Sequence, residues 1–242
     1  MTNDTRHPKL LALLARGRED TLAFVAGLSP AQRSAEGTLA RWSAKETIGH
    51  LSAWQVHTAQ RLAAAVDGTE PPHVADEATF NDARFALDRQ RDWPAVLADA
   101  ERAYADLTAA VERCSEPDLT DPQRFPWTHG RALIGSVFGN GYAHVGEHLA
   151  DYYLATGDTA PAISVQSGMA VVTEQIFGPS EYTAAARYNL GCFYARTGNS
   201  DAAIAALRAA LTMDPRLVPW SRQDRDLNTL YNDPAFQALI SS

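Results

Sequence analysis

The sequence predicts an all-α protein, a four-helix bundle followed by a helical hairpin with capping helices. Two observations carry that expectation. Apolar residues recur at helical spacing in long segments between strong stop signals, and no stretch shows the apolar–polar alternation of a half-buried strand. At 242 residues with 45% hydrophobic content, the chain is also long enough to build two helical units. The expected division places the bundle in residues 1–158 and the hairpin with its cap in residues 159–242.

The elements follow in order. Leu10, Leu11, Leu13, Leu14, Phe24, Val25 and Leu28 mark a first helix that ends before Ser29-Pro30. Ser43-Ala44-Lys45-Glu46 reads as a capping box, in which the serine oxygen takes a first-turn amide and Glu46 reaches back to the serine N–H. It opens a second helix running to about Asp67, where Gly68 stops it. Residues 69–76 are a loop, and a short helical piece from Phe80 to Gln90 leads to Pro94, well placed in the first turn of a third helix ending near Cys114. Pro117, Pro122 and Pro126 keep residues 116–127 out of any regular helix interior. A fourth helix is expected from about Gly130 to Thr156, closed by Gly157. Its glycines Gly139, Gly141 and Gly146 each cost about 1 kcal/mol relative to alanine, which predicts close helix approach or a local distortion there. Four such helices form a bundle.

Beyond Ala162 the pattern changes. Residues 162–177 form one helix, stopped by Gly178-Pro179, and residues 184–217 form a unit of two helices. Its Leu190, Gly191, Tyr194, Ala203, Leu207, Ala210 and Pro215 resemble the signature of a tetratricopeptide repeat, with Arg187 where the motif carries a large aromatic. Residues 220–239 look like the cap that closes such repeats. One repeat cannot bury both its faces, so it has to pack on its neighbours.

Composition removes several classes of function. A net charge of −8 and the lack of a Lys/Arg run argue against nucleic acid, which needs a basic face to neutralise phosphates. No segment approaches the roughly 20 apolar residues that cross a bilayer. The apolar stretch Leu10–Ala15 is followed at once by Arg16, Arg18, Glu19 and Asp20, which fits a first amphipathic helix and no signal-peptide cleavage site. Cys114 and Cys192 form neither a metal-type spacing nor a disulfide framework, so a reduced, cytoplasmic protein is expected.

The chemistry-bearing pattern is a set of histidines. His144 and His148 are four residues apart on the fourth helix, one turn apart on one face, and can offer two nitrogens to one ion. Such a pair alone is weak, since chance produces it in about one protein in six of this composition. A third nitrogen has to come from another helix, and His50, within the second, is the candidate. Three imidazoles with an open position favour catalysis, because structural zinc fills its fourth position with protein. Around them, Glu46 is explained by the capping box, with a catalytic base as the alternative. Trp54, one turn beyond His50, is expected as core or pocket wall, and His57 as a boundary residue that extends the polar stripe. Asn81 and Asp82 are expected to cap or brace the short helix, with contact to a substrate as the alternative. His73 and His129 fall in loops.

The residues from Trp42 to Trp54 resemble the second-helix motif of the DinB-like superfamily of four-helix bundles. Phe125 to Arg131, Gly139 to His144, Glu147-His148-Leu149 and Phe80-Asn81-Asp82 are similar to its ClbS/DfsB branch, the likeness covering roughly residues 8–157. The resemblance implies a divalent metal (zinc, nickel or manganese) held by His50, His144 and His148. It also implies a small-molecule substrate, and a low-molecular-weight thiol as co-substrate by analogy with thiol-dependent transferases. A homodimer is one implied assembly. Three readings stand open: a metal-dependent hydrolase or thiol transferase, a metal-independent resistance protein that binds or hydrolyses a reactive natural product, and a non-catalytic scaffold whose repeat docks a protein partner.

Overall fold

The structure, a computed structural model, describes residues 5–241. Among them the only β-type pairing is an isolated bridge between Thr38 and Arg41, and every regular element is a helix, joined by loops and turns. Contacts divide the chain into two compact units, Met1–Ala162 and Ile163–Ser242.

In the first unit, α1 (Arg6–Gly27) buries Leu10, Leu13, Leu14 and Phe24, the apolar face read from the sequence. Its first two amides, those of Arg6 and His7, donate to the Glu116 carboxylate at 2.7 and 3.0 Å. A carboxylate far along the chain thus satisfies donors that a helix start leaves open. A five-residue helix, α2 (Pro30–Ser34), then follows. Ser29 and Gln32 cap it reciprocally and Pro30 opens it, so Ser29-Pro30 both ends α1 and starts another turn. α3 (Ala44–Asp67) begins and ends where expected. Glu46 Oε2 accepts the Ser43 N–H at 2.7 Å, while Ser43 Oγ is buried without a hydrogen-bond partner, so the Glu46 half carries the box.

α4 (Glu77–Arg89) starts three residues before Phe80, because the Asp76 carboxylate accepts the Thr79 N–H at 2.9 Å and sets the cap there. That places Asn81 and Asp82 in the second turn, so neither caps the helix as expected. α5 (Trp93–Arg113) is capped by Asp92 and carries Pro94 in its first turn. α6 (Glu116–Thr120) fits into the proline-rich stretch because Pro117 sits in its first turn, where a missing N–H costs nothing. The fourth bundle helix starts later than Gly130. His129 and Gly130 have φ of +52° and +78°, left-handed values that a right-handed helix excludes. It consists of α7 (Leu133–Phe138), a π-helical turn (Gly139–Ala143) and α8 (His144–Thr156). The distortion expected from its glycines is this π turn, which ends one residue before His144.

The second unit comprises most of α9 (Thr159–Phe177), then α10 (Glu181–Arg196), α11 (Ser200–Met213), α12 (Val218–Ser221), a 3₁₀ segment (Arg225–Leu230) and α13 (Pro234–Ile240). Ala203, Leu207 and Ala210 of α11 are fully buried with Leu227, Leu230 and Phe236 of the cap. Arg187 pairs instead with Glu174 of α9, which accounts for a charge where the repeat motif carries an aromatic.

Candidate metal centre

The three histidines converge. His50 comes from the second turn of α3, His144 and His148 from successive turns of α8, and their ligand atoms all lie within 4.8 Å of one another. His144 Nε2 is 3.1 Å from His50 Nε2 and 2.8 Å from His148 Nε2. His50 is 4% exposed, and the other two are half-buried.

Close packing sets this register. The π turn brings Gly141 against α1 so tightly that a Cβ on Gly17 would lie 2.4 Å from the Gly141 carbonyl oxygen. Asn140, in the same turn, donates its side-chain N–H to Thr58 Oγ1 of α3 at 2.9 Å. On the other side of α3, Gly49 leaves room for Asp88 of α4, whose Oδ2 would be 1.8 Å from a Cβ there. Asp88 has no exposure and pairs with Arg84 at 2.6 Å and Arg91 at 3.3 Å.

Aromatic rings hold the imidazoles. The Trp42 ring stacks on His148, with centroids 5.7 Å apart and planes at 13°, and lies 4.6 Å from the His50 ring. Trp54 approaches His50 edge-on at 6.5 Å, and its indole N–H donates to Asn81 Oδ1 at 3.0 Å. Asn81 therefore orients an aromatic wall. His57 packs edge-on to Trp54 at 5.7 Å and does not join the cluster. Glu46 has the capping contact described, and its Oε1 is buried without a partner. In the sequence Trp42 stands only as the start of the second-helix motif, with no role at the site, because it precedes the helix and lies outside any periodic pattern. Asn140 and Asp88 left no recognisable signal.

Burial is the main force on the charge of the site. It drives the His50 ring down to about 2, with the neighbouring imidazoles adding to the effect, and His144 down to about 3. His148 is lowered for the same reason, partly offset by Asp151. All three rings are thus neutral near pH 7, the form that binds metal.

Hydrogen bonding within the cluster cannot satisfy it. Each ring nitrogen of a neutral imidazole offers either one proton or one lone pair. His144 Nε2 contacts two other Nε2 atoms and can bond to only one, so the second contact has no proton to share or one too many. The Nδ1 atoms of His50 and His144 are also buried without partners. A cation accepts all three Nε2 lone pairs together. Tetrahedral donors at roughly 2.0–2.1 Å from zinc lie about 3.3 Å apart, close to the two separations found. These residues fit a divalent ion.

A second cluster, Cys192 with Asp224 and Asp226, lies in the other unit. There Asp224 Oδ2 already accepts from Tyr188 at 2.8 Å and its Oδ1 from the Asp226 N–H at 3.0 Å, which makes it a brace for the cap.

Fold and site together define a helical-bundle protein with a candidate three-histidine metal centre. Residues 13–151 match the DinB superfamily, and the chain belongs to it. The match is at superfamily level, so the narrower ClbS/DfsB likeness rests on its sequence motifs. Residues 184–217 match the tetratricopeptide repeat. No curated protein and no solved structure matches the chain. No helix among the described residues is long and apolar enough to cross a membrane.

Proposed function

We propose that this protein is a metal-dependent enzyme acting on a small molecule, with His50, His144 and His148 as the ligands. The observation that carries the reading is the meeting of three Nε2 atoms at separations that their own protons cannot satisfy. A bound zinc, nickel or manganese ion supplies Lewis acidity, either for hydrolysis or for lowering the pKa of a low-molecular-weight thiol. The chain's own part is to keep the imidazoles neutral by burial, to fix their planes with Trp42 and Trp54, and, among the described residues, to offer the cluster no fourth protein ligand. The ClbS/DfsB likeness of residues 125–131 points to a reactive electrophile as substrate, and so to detoxification. The repeat at residues 184–217 supports a separate role in docking a protein partner.

Elemental analysis of purified protein beside its His148→Ala variant tests the reading. The expected result is one divalent ion per wild-type chain and none in a variant that stays folded by circular dichroism. Added zinc, nickel or manganese should raise the melting temperature of wild type only. A metal-free wild type with no shift from any of the three ions overturns it.

A further inference from the structure

Beside the triad, and sharing Trp54 with it, lies a cleft of about 540 Å³ between α3, the loop before α4 and the turn around Trp127. That volume is in the range of small-molecule sites. Trp54, Trp127, Pro71, Pro72 and Val74 give it flat apolar walls. Arg61 of α3 also lines it, half-buried, with its guanidinium carbon 5.0 Å from the centre of the Trp127 ring. Among the described residues Arg61 makes no ion pair. Burial and the nearby charge of Arg131 both work against its positive charge, and no carboxylate pair offsets them. Glu70 and Glu77 also line the cleft, but both are exposed, where water and salt screen them.

The geometry points to this cleft as the binding site for a small organic anion with a planar aromatic body. The ring system lies between the tryptophans and the prolines, and the carboxylate or similar group accepts hydrogen bonds from the Arg61 guanidinium. The cation–π contact with Trp127 holds that guanidinium against the cleft wall, where its donors can meet a carboxylate. Since the Trp54 ring also stands 6.5 Å from the His50 ring, the cleft would hold the body of the substrate next to the imidazoles. That last step rests on the proposed enzymatic reading, but the binding site itself does not.

Calorimetric titration of the chelator-treated full chain tests the inference, with 2-naphthoate as probe beside neutral 2-naphthamide and cationic 2-naphthylmethylammonium. Naphthoate should bind one to one and more tightly than the other two. Arg61→Gln should weaken it about tenfold or more, the loss expected of one charge-assisted contact, with Arg61→Lys in between. His148→Ala should leave naphthoate binding unchanged, because the cleft does not need the triad. Preference for the cation, equal affinity in Arg61→Gln, loss of binding in His148→Ala or no binding to wild type would each overturn the proposal. Naphthoate binding in a protein shown to take up no metal would sustain the cleft while removing the enzymatic reading.

Discussion

A neutral imidazole buried among two others resists protonation, and the cost of that resistance falls on stability. His50 and His144 titrate in the folded chain at about 2 and about 3, against 6.5 for an ordinary histidine. Between those values the unfolded chain binds more protons than the native one, so unfolding becomes more favourable as pH falls. Stability of the metal-free protein should therefore hold above about pH 6.5 and decline steadily below it, by on the order of 1 kcal/mol per pH unit for each affected ring. Urea midpoints measured from pH 7 to pH 4 check this, and a His144→Asn variant should show a shallower decline. An equal slope in both would place the acid sensitivity elsewhere. The i, i+4 pair could be read from spacing because a helix turns at a fixed rate. Trp42 had no such marker, since it reaches His50 and His148 from outside the helix through a tertiary contact.

Between elements, the site depends on backbones coming closer than side chains normally allow. Gly17 meets the Gly141 carbonyl, a backbone atom that cannot swing aside, so Gly17→Ala has to push α1 away from the π turn. The expected cost is about 2 kcal/mol of stability, with weaker metal binding because His144 follows that turn directly. Denaturant unfolding and chelator competition measure the two effects, and unchanged metal affinity would separate the π turn from the site. Asp88 tests the other face of α3. Asp88→Ala removes the buried carboxylate between Arg84 and Arg91, which keep Asp99 as a second partner, and should cost about 2 kcal/mol. By the same unfolding assay, a loss below about 1 kcal/mol would show that water replaces the carboxylate. The helices could be read because caps and apolar periods are local. The Asp76 cap reads as part of the loop 69–76, the His129–Gly130 turn is missed because two left-handed residues interrupt the run, and the π segment is expected only as a local distortion without its form.

Across the whole chain, the three histidines all fall in the first unit, while the repeat and its cap belong to the second. That two-part composition was legible because the repeat positions follow their own spacing, and the fully buried Leu207, Leu227 and Phe236 give the second unit a core of its own. Its polar brace is Asp224, which caps the 3₁₀ segment and takes hydrogen bonds from Tyr188 at 2.8 Å and from the Cys192 thiol at 3.6 Å. Burial and this carboxylate raise the Cys192 thiol far above its ordinary value, so it stays protonated and able to donate. Asp224→Ala removes both acceptors and the cap, leaving the Tyr188 hydroxyl without its partner at a cost of about 2 kcal/mol. If the units are energetically separate, calorimetry of this variant should show one transition at lower temperature and one unmoved. Zinc added to saturation should then raise only the unmoved transition, because only that unit carries the imidazoles. A single transition that shifts as a whole, or zinc acting on the transition lowered by Asp224→Ala, would mean that the repeat and the histidine site unfold together.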